Sequence, residues 1–149
     1  MNKGLIAGAA LIFAVACGSN NNNADTTAEA AMTPVDSLFQ QVMDGHDAAM
    51  AKMGKLKSYR KEFDKKADSL DKTKAPAKKE LVATYTEMSS QLKHAEDRMN
   101  AWMEGFSIDS ATDDTNRRIQ YLNDEKVKVD SVRQEILSVL AKADSLRSK

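Results

Sequence analysis

Apolar side chains recur every three or four residues along most of this chain, a spacing that one face of a helix uses and a strand cannot. The first run passes through Val35, Phe39, Val42, His46, Ala49, Met53, Leu56, Phe63, Ala67 and Leu70, with only the charge of Arg60 against it. Thr33-Pro34-Val35-Asp36 opens it well: Thr33 can cap free amides, Pro34 suits a first turn, and Asp36 favours the positive end of the helix dipole. The second run holds Leu81, Tyr85, Met88, Leu92, Ala95, Met99, Trp102 and Phe106. It is predicted to begin at Pro76, after a reversal at Lys74-Ala75-Pro76, and to stop at Gly105. The third holds Ile119, Leu122, Val129, Val132, Ile136, Val139, Ala143 and Leu146, with Glu125 or Lys126 as its weak point and a start at Asp109 or Ser110. Glu62 with Lys66, and Asp124 with Lys128, are expected to pair across exposed turns.

Long amphipathic helices are unstable alone, so the three stripes should meet. The expected fold is all-α: an up-down-up antiparallel three-helix bundle with coiled-coil-like crossing over residues 34–149. A core completed only in a homo-oligomer is the alternative. At 1.5 Å per residue the first and third helices should each be about 55–60 Å long.

The first residues follow another logic. Lys3 precedes an apolar stretch over residues 5–16, and polarity returns at once in Gly18, Ser19 and Asn20 to Asn23. That stretch is shorter than the roughly 20 residues of a membrane span and has the layout of a secretory signal. Ala14-Val15-Ala16-Cys17-Gly18 resembles a bacterial lipobox, although Ala14 replaces the usual leucine. The resemblance implies a signal peptide over residues 1–16, cleavage before Cys17, and diacylation of that cysteine. Residues 17–33 then read as a lipidated flexible tether. Two or more acyl chains anchor a protein stably where one does not, so the expected location is the cell envelope, on the outer rather than the inner membrane, facing periplasm or surface.

Composition narrows the chemistry. The chain has 149 residues, 22 basic and 22 acidic, hence a formal net charge of zero; with no basic run interleaved with aromatics, nucleic acid is set aside as a partner. The single cysteine excludes an intrachain disulfide and a multi-cysteine zinc site. The acids Asp25, Glu29, Asp36, Asp44 and Asp47 precede any Lys or Arg after residue 17, whereas residues 52–79 are lysine-rich. With Lys142, Arg147 and Lys149 expected nearby, the tip far from the membrane should be basic, either a solvated face or a contact for anionic polymers or head groups.

One cluster bears on ligands. Folding the second helix back on the first brings Met43, His46, Met50 and Met53 level with Met99, Trp102 and Met103. Thioether and imidazole suit copper(I), or a haem iron with axial His and Met, and the candidate metal ligands are His46, Met50, Met99 and Met103. The plainer reading is a packed hydrophobic end, because methionine fills irregular cores. Gly45 and Gly54 flank His46 at about 1 kcal/mol each against alanine; Gly45 could admit a close neighbour such as Trp102. Glu-x-x-His pairs, a His-Glu-x-x-His motif and a phosphate loop are all missing, and His46-Asp47 or His94 with a serine makes a weak triad on a plain bundle. No enzyme is expected. The function expected is a non-enzymatic structural or interaction module bound to an envelope protein, a polymer or its own copy, with an exported copper or haem binder as the alternative.

Three motifs, Val42-Met43-x-x-His46-Asp47-x-x-Met50-x-Lys52-Met53-Gly54, Ala95-x-x-x-Met99-x-x-Trp102-Met103-x-x-Phe106 and Tyr121-Leu122-x-x-Glu125, resemble a family of small bacterial lipoproteins labelled "viral A-type inclusion protein" by automated naming. The resemblance spans roughly residues 35–146. The label reflects coiled-coil-like sequence, so it implies membership without a mechanism. Members often carry proline where Ala51 stands, and a kink there is not implied for this chain.

Overall fold

A computed structural model of the protein describes residues 32–148; the leader, Cys17 and most of the tether lie outside them. Among the described residues there are three long helices, packed against one another: α1 (Pro34–Asp71), α2 (Lys79–Gly105) and α3 (Thr115–Arg147). None is long and apolar enough to cross a membrane. At 1.5 Å per residue, the 38 residues of α1 and 33 of α3 give lengths of about 57 and 50 Å. α1 runs unbroken through Ala51.

The entry to α1 is a full capping box. The Asp36 amide donates to the Thr33 hydroxyl, and the Asp36 carboxylate accepts from the Thr33 amide, so two backbone donors that would otherwise face solvent are satisfied reciprocally. The α1–α2 reversal differs in detail from expectation. Pro76 opens a short 3-10 turn, Pro76–Lys78, before α2 starts at Lys79, because proline's missing amide and fixed φ suit a tight first turn. Lys74 takes a left-handed φ of 49° to close it.

The start of α3 is the larger correction. It lies at Thr115, with Asp114 as N-cap accepting from the Arg117 amide at 3.0 Å, and not at Asp109 or Ser110. The preceding residues 108–113 form turns, with Ala111 at φ 55°. They are held from inside: the Arg118 guanidinium donates to the Ser110 carbonyl at 2.8 Å and lies over the rings of Phe39 and Tyr121. Four candidate caps stand within six residues, so local signals alone could not choose among them.

The core follows the stripes. Val42, Ala49, Leu56 and Phe63 of α1, Leu92, Ala95 and Met99 of α2, and Leu122, Val129, Ile136 and Ala143 of α3 have no exposed surface. Each large one contributes about 1.5–3 kcal/mol by leaving water. Contacts between α1 and α2 run in opposite order, Phe39 against Phe106, His46 against Trp102 and Phe63 against Tyr85. Those between α1 and α3 run in the same order, Gly45 facing Val129, Lys55 bonding Asp144 and Glu62 bonding Arg147. α2 and α3 pack less extensively on each other than either does on α1.

Gly45 is buried because α3 approaches it: a Cβ there would meet Val129 Cγ1 at 3.0 Å. The close neighbour is therefore Val129 and not Trp102. Gly54 faces open space.

Candidate functional site

The sulfur-rich end is built where the first half of α1 meets the last turns of α2. Helical spacing puts Phe39 and His46 on the flank of α1 that faces α2, and Trp102, Met103 and Phe106 on the flank that answers it. The rings form a continuous row: His46 lies tilted against Trp102 at 5.7 Å between centroids, Trp102 stacks on Phe106 at 5.0 Å, and Phe106 stacks on Tyr121 of α3 at 6.0 Å. Tyr121 closes the end by accepting the Ser107 amide at 2.7 Å.

His46 keeps 19% of its side chain exposed. Its Nδ1 lies 2.8 Å from the Asp47 carboxylate and its Nε2 lies 3.4 Å from the Met103 Sδ. The Asp47 carboxylate thus supports one ring nitrogen and the Met103 thioether faces the other.

Of the four candidate ligands, His46 and Met103 are brought into contact. Met99 is wholly buried in the core, and Met50, one turn after His46, is 38% exposed. The sequence placed all four at one end; the structure divides them among a touching pair, a core side chain and a surface side chain. A haem between His46 and Met103 does not fit this pair: axial nitrogen and sulfur on opposite faces of an iron would stand more than about 4 Å apart, wider than the 3.4 Å observed. Among the described residues no group of three or more His, Cys, Asp or Glu converges as a metal cage.

The second histidine serves elsewhere. His94 Nδ1 and Arg98 both bond Glu135 of α3, at 2.8 and 2.9 Å, so the two histidines share no triad. This cluster borders a groove of about 420 Å³ between α2 and α3, which includes Ser90, Gln91, Ser138 and Lys142. A second depression beside it, about 470 Å³, adds Met88 and Leu146.

Ion pairs and hydrogen bonds staple α1 to α3. Asp144 accepts from Tyr59 and from Lys55 (2.9 Å), while Arg147 donates to Glu62 (2.8 Å) and Tyr59 (2.9 Å) and lies over the Tyr59 ring. Hydrogen bonds from Tyr59 and Lys55 hold the Asp144 carboxyl below its ordinary range. Bonds from Lys66 and Arg147 do the same for Glu62. Glu62 pairs with Lys66 as expected (2.9 Å), but Lys128 pairs with Glu125 (2.7 Å) and not Asp124. That bond raises the Lys128 pKa.

Sequence reasoning missed Arg118 and treated Glu125 only as a weak point; both are buried. The signal was their register. Residues 118, 122, 125, 129 and 132 keep the three-and-four spacing whatever the residue type, and a charged residue on that stripe must find a partner indoors.

Comparison with protein-family models, with curated proteins and with solved structures found no match to this chain.

Proposed function

We propose that this chain is a lipid-anchored module of the bacterial cell envelope, an up-down-up antiparallel three-helix bundle that works by holding an envelope protein or polymer and not by catalysis. The observation that carries the reading is the arrangement around Cys17: a basic start, a short apolar stretch, small residues before the cysteine, and immediate polarity after it. Lipid on Cys17 would fix the amino end at the membrane, on the outer membrane by preference. The resemblance to the small lipoprotein family supports the same assignment. The bundle topology is supported by the order of contacts, opposed between α1 and α2 and matched between α1 and α3.

The pKa shifts of Lys55, Asp144 and Arg147 arise from the staple between two helices, that of Glu62 first from Lys66 on its own helix and then from Arg147, and that of Lys128 from a local pair. The groove between α2 and α3 is the surface we assign to the partner, since it offers hydroxyl, amide and charged groups over two adjoining depressions. Mass spectrometry of the protein purified from cells tests the anchor: the expected amino terminus is Cys17 carrying acyl chains, and Cys17→Ser should move the protein from the membrane fraction. An intact Met1, or an unmodified thiol at residue 17, would overturn the reading. Bait carrying Ser138→Arg in the groove should lose the membrane partner that the unaltered protein retains.

A further inference from the structure

We propose that His46 and Met103, with Met50 as a third ligand, form a binding site for a soft monovalent cation, copper(I). Asp47 lies 2.8 Å from His46 Nδ1, and the Met103 sulfur lies 3.4 Å from Nε2. An imidazole nitrogen and a thioether sulfur thus stand at a spacing that one bound cation can bridge. Carboxylate support of the far ring nitrogen is also how proteins orient a histidine that holds a metal.

The spacing fits. With bonds of about 2.05 Å to nitrogen and about 2.3 Å to sulfur, typical of a first-row d10 ion, donors 3.4 Å apart subtend an angle of about 100° at the metal. That is near the tetrahedral value, and little movement is needed to reach it. Met50 lies four residues after His46, hence on the same flank one turn along. Its thioether is exposed and turns on three flexible bonds, so it can reach inward without disturbing the core. Met99 is held in the core and is not needed.

The donor set selects the ion. Thioether sulfur and neutral imidazole favour copper(I), whereas calcium and magnesium want oxygen. Local charge favours a cation too: residues 32–51 contain Asp36, Asp44 and Asp47 and no Lys or Arg.

Trp102, the sole tryptophan, is 5.7 Å from the His46 ring and supplies the readout. The test is titration of the full chain, carrying Cys17→Ser so that no thiol competes, with copper(I) under reducing, oxygen-free conditions; silver(I) is an air-stable second probe. Quenching of Trp102 fluorescence should saturate at one ion per chain, with no response to magnesium. His46→Gln and Met103→Leu should each weaken binding at least about 100-fold. Asp47→Asn, which leaves both donors in place, should weaken it by about 10–100-fold at unchanged stoichiometry. Met50→Leu should have an intermediate effect. Circular dichroism checks that each variant keeps its helices; if Met103→Leu does not, His46→Gln decides. No saturable quenching in the parent chain, or equal affinity in His46→Gln, overturns the site. Neither outcome bears on Cys17 lipidation.

Discussion

Gly45 and Gly54 occupy the same helix, nine residues apart, and replacing each by alanine should give opposite results. Both substitutions gain helix propensity, about 1 kcal/mol, because alanine gives up less backbone freedom on folding than glycine. At residue 54 nothing opposes the gain, since the new methyl meets no atom within 4 Å. At residue 45 the methyl would lie 3.0 Å from Val129 Cγ1. Valine in a helix has essentially one χ1 rotamer, so Val129 cannot swing aside, and α3 must back away from α1. Overpacking of this kind costs about 1–3 kcal/mol. The balance predicts a melting temperature about 4 °C higher for Gly54→Ala and unchanged to about 8 °C lower for Gly45→Ala, at about 4 °C per kcal/mol for a domain of this size. Thermal unfolding followed by circular dichroism measures both. The Gly45→Ala/Val129→Ala double variant should be less destabilised than the two single effects predict when added, because removing the valine methyls makes room. Equal stabilisation by the two alanines would refute the claim that glycine at residue 45 is there for the approach of α3.

Two further outcomes follow from the staple and from the buried arginine. Asp144 and Glu62 have lowered pKa values in the fold, so their contribution is fully present above their unfolded values of 3.8 and 4.5 and is lost as pH falls through the folded ones; melts from pH 7 to pH 2 should show this decline, and Asp144→Asn should flatten it. Arg118→Ala removes the bond to the Ser110 carbonyl and the contacts over Phe39 and Tyr121, and should cost about 1–3 kcal/mol. Amide hydrogen exchange should then quicken across residues 107–114 before it does in the helices, and uniform quickening would contradict the local role.

The helices were legible because burial here follows a period that residue type rarely interrupts. Val42, Ala49, Met53, Leu56, Phe63 and Ala67 were all on the predicted stripe and are all buried. The α2–α3 connection was not legible. Its conformation depends on Arg118 reaching back eight residues to Ser110, a long-range choice that capping preferences at Asp109, Ser110, Asp113 and Asp114 do not encode. At the candidate site the sequence put the right residues at one end but not at the right depth. Met50 is four residues from His46 and Met99 four from Met103, yet one faces solvent and the other the core, which depends on how α1 and α2 are rotated against α3. The partnership of His46 with Met103 was within reach of the periodicity; the contact of Asp47 with His46 Nδ1 was not, because residues adjacent in a helix ordinarily point apart.

The unequal seams of the bundle give the molecule a spine. α1 shares its length with both neighbours, whereas α2 and α3 meet through the small ion cluster of His94, Arg98 and Glu135 and a thinner apolar strip. Local opening draws on the least extensive contacts first, so a ligand entering between α2 and α3 would meet the seam of the bundle with the least packing to displace.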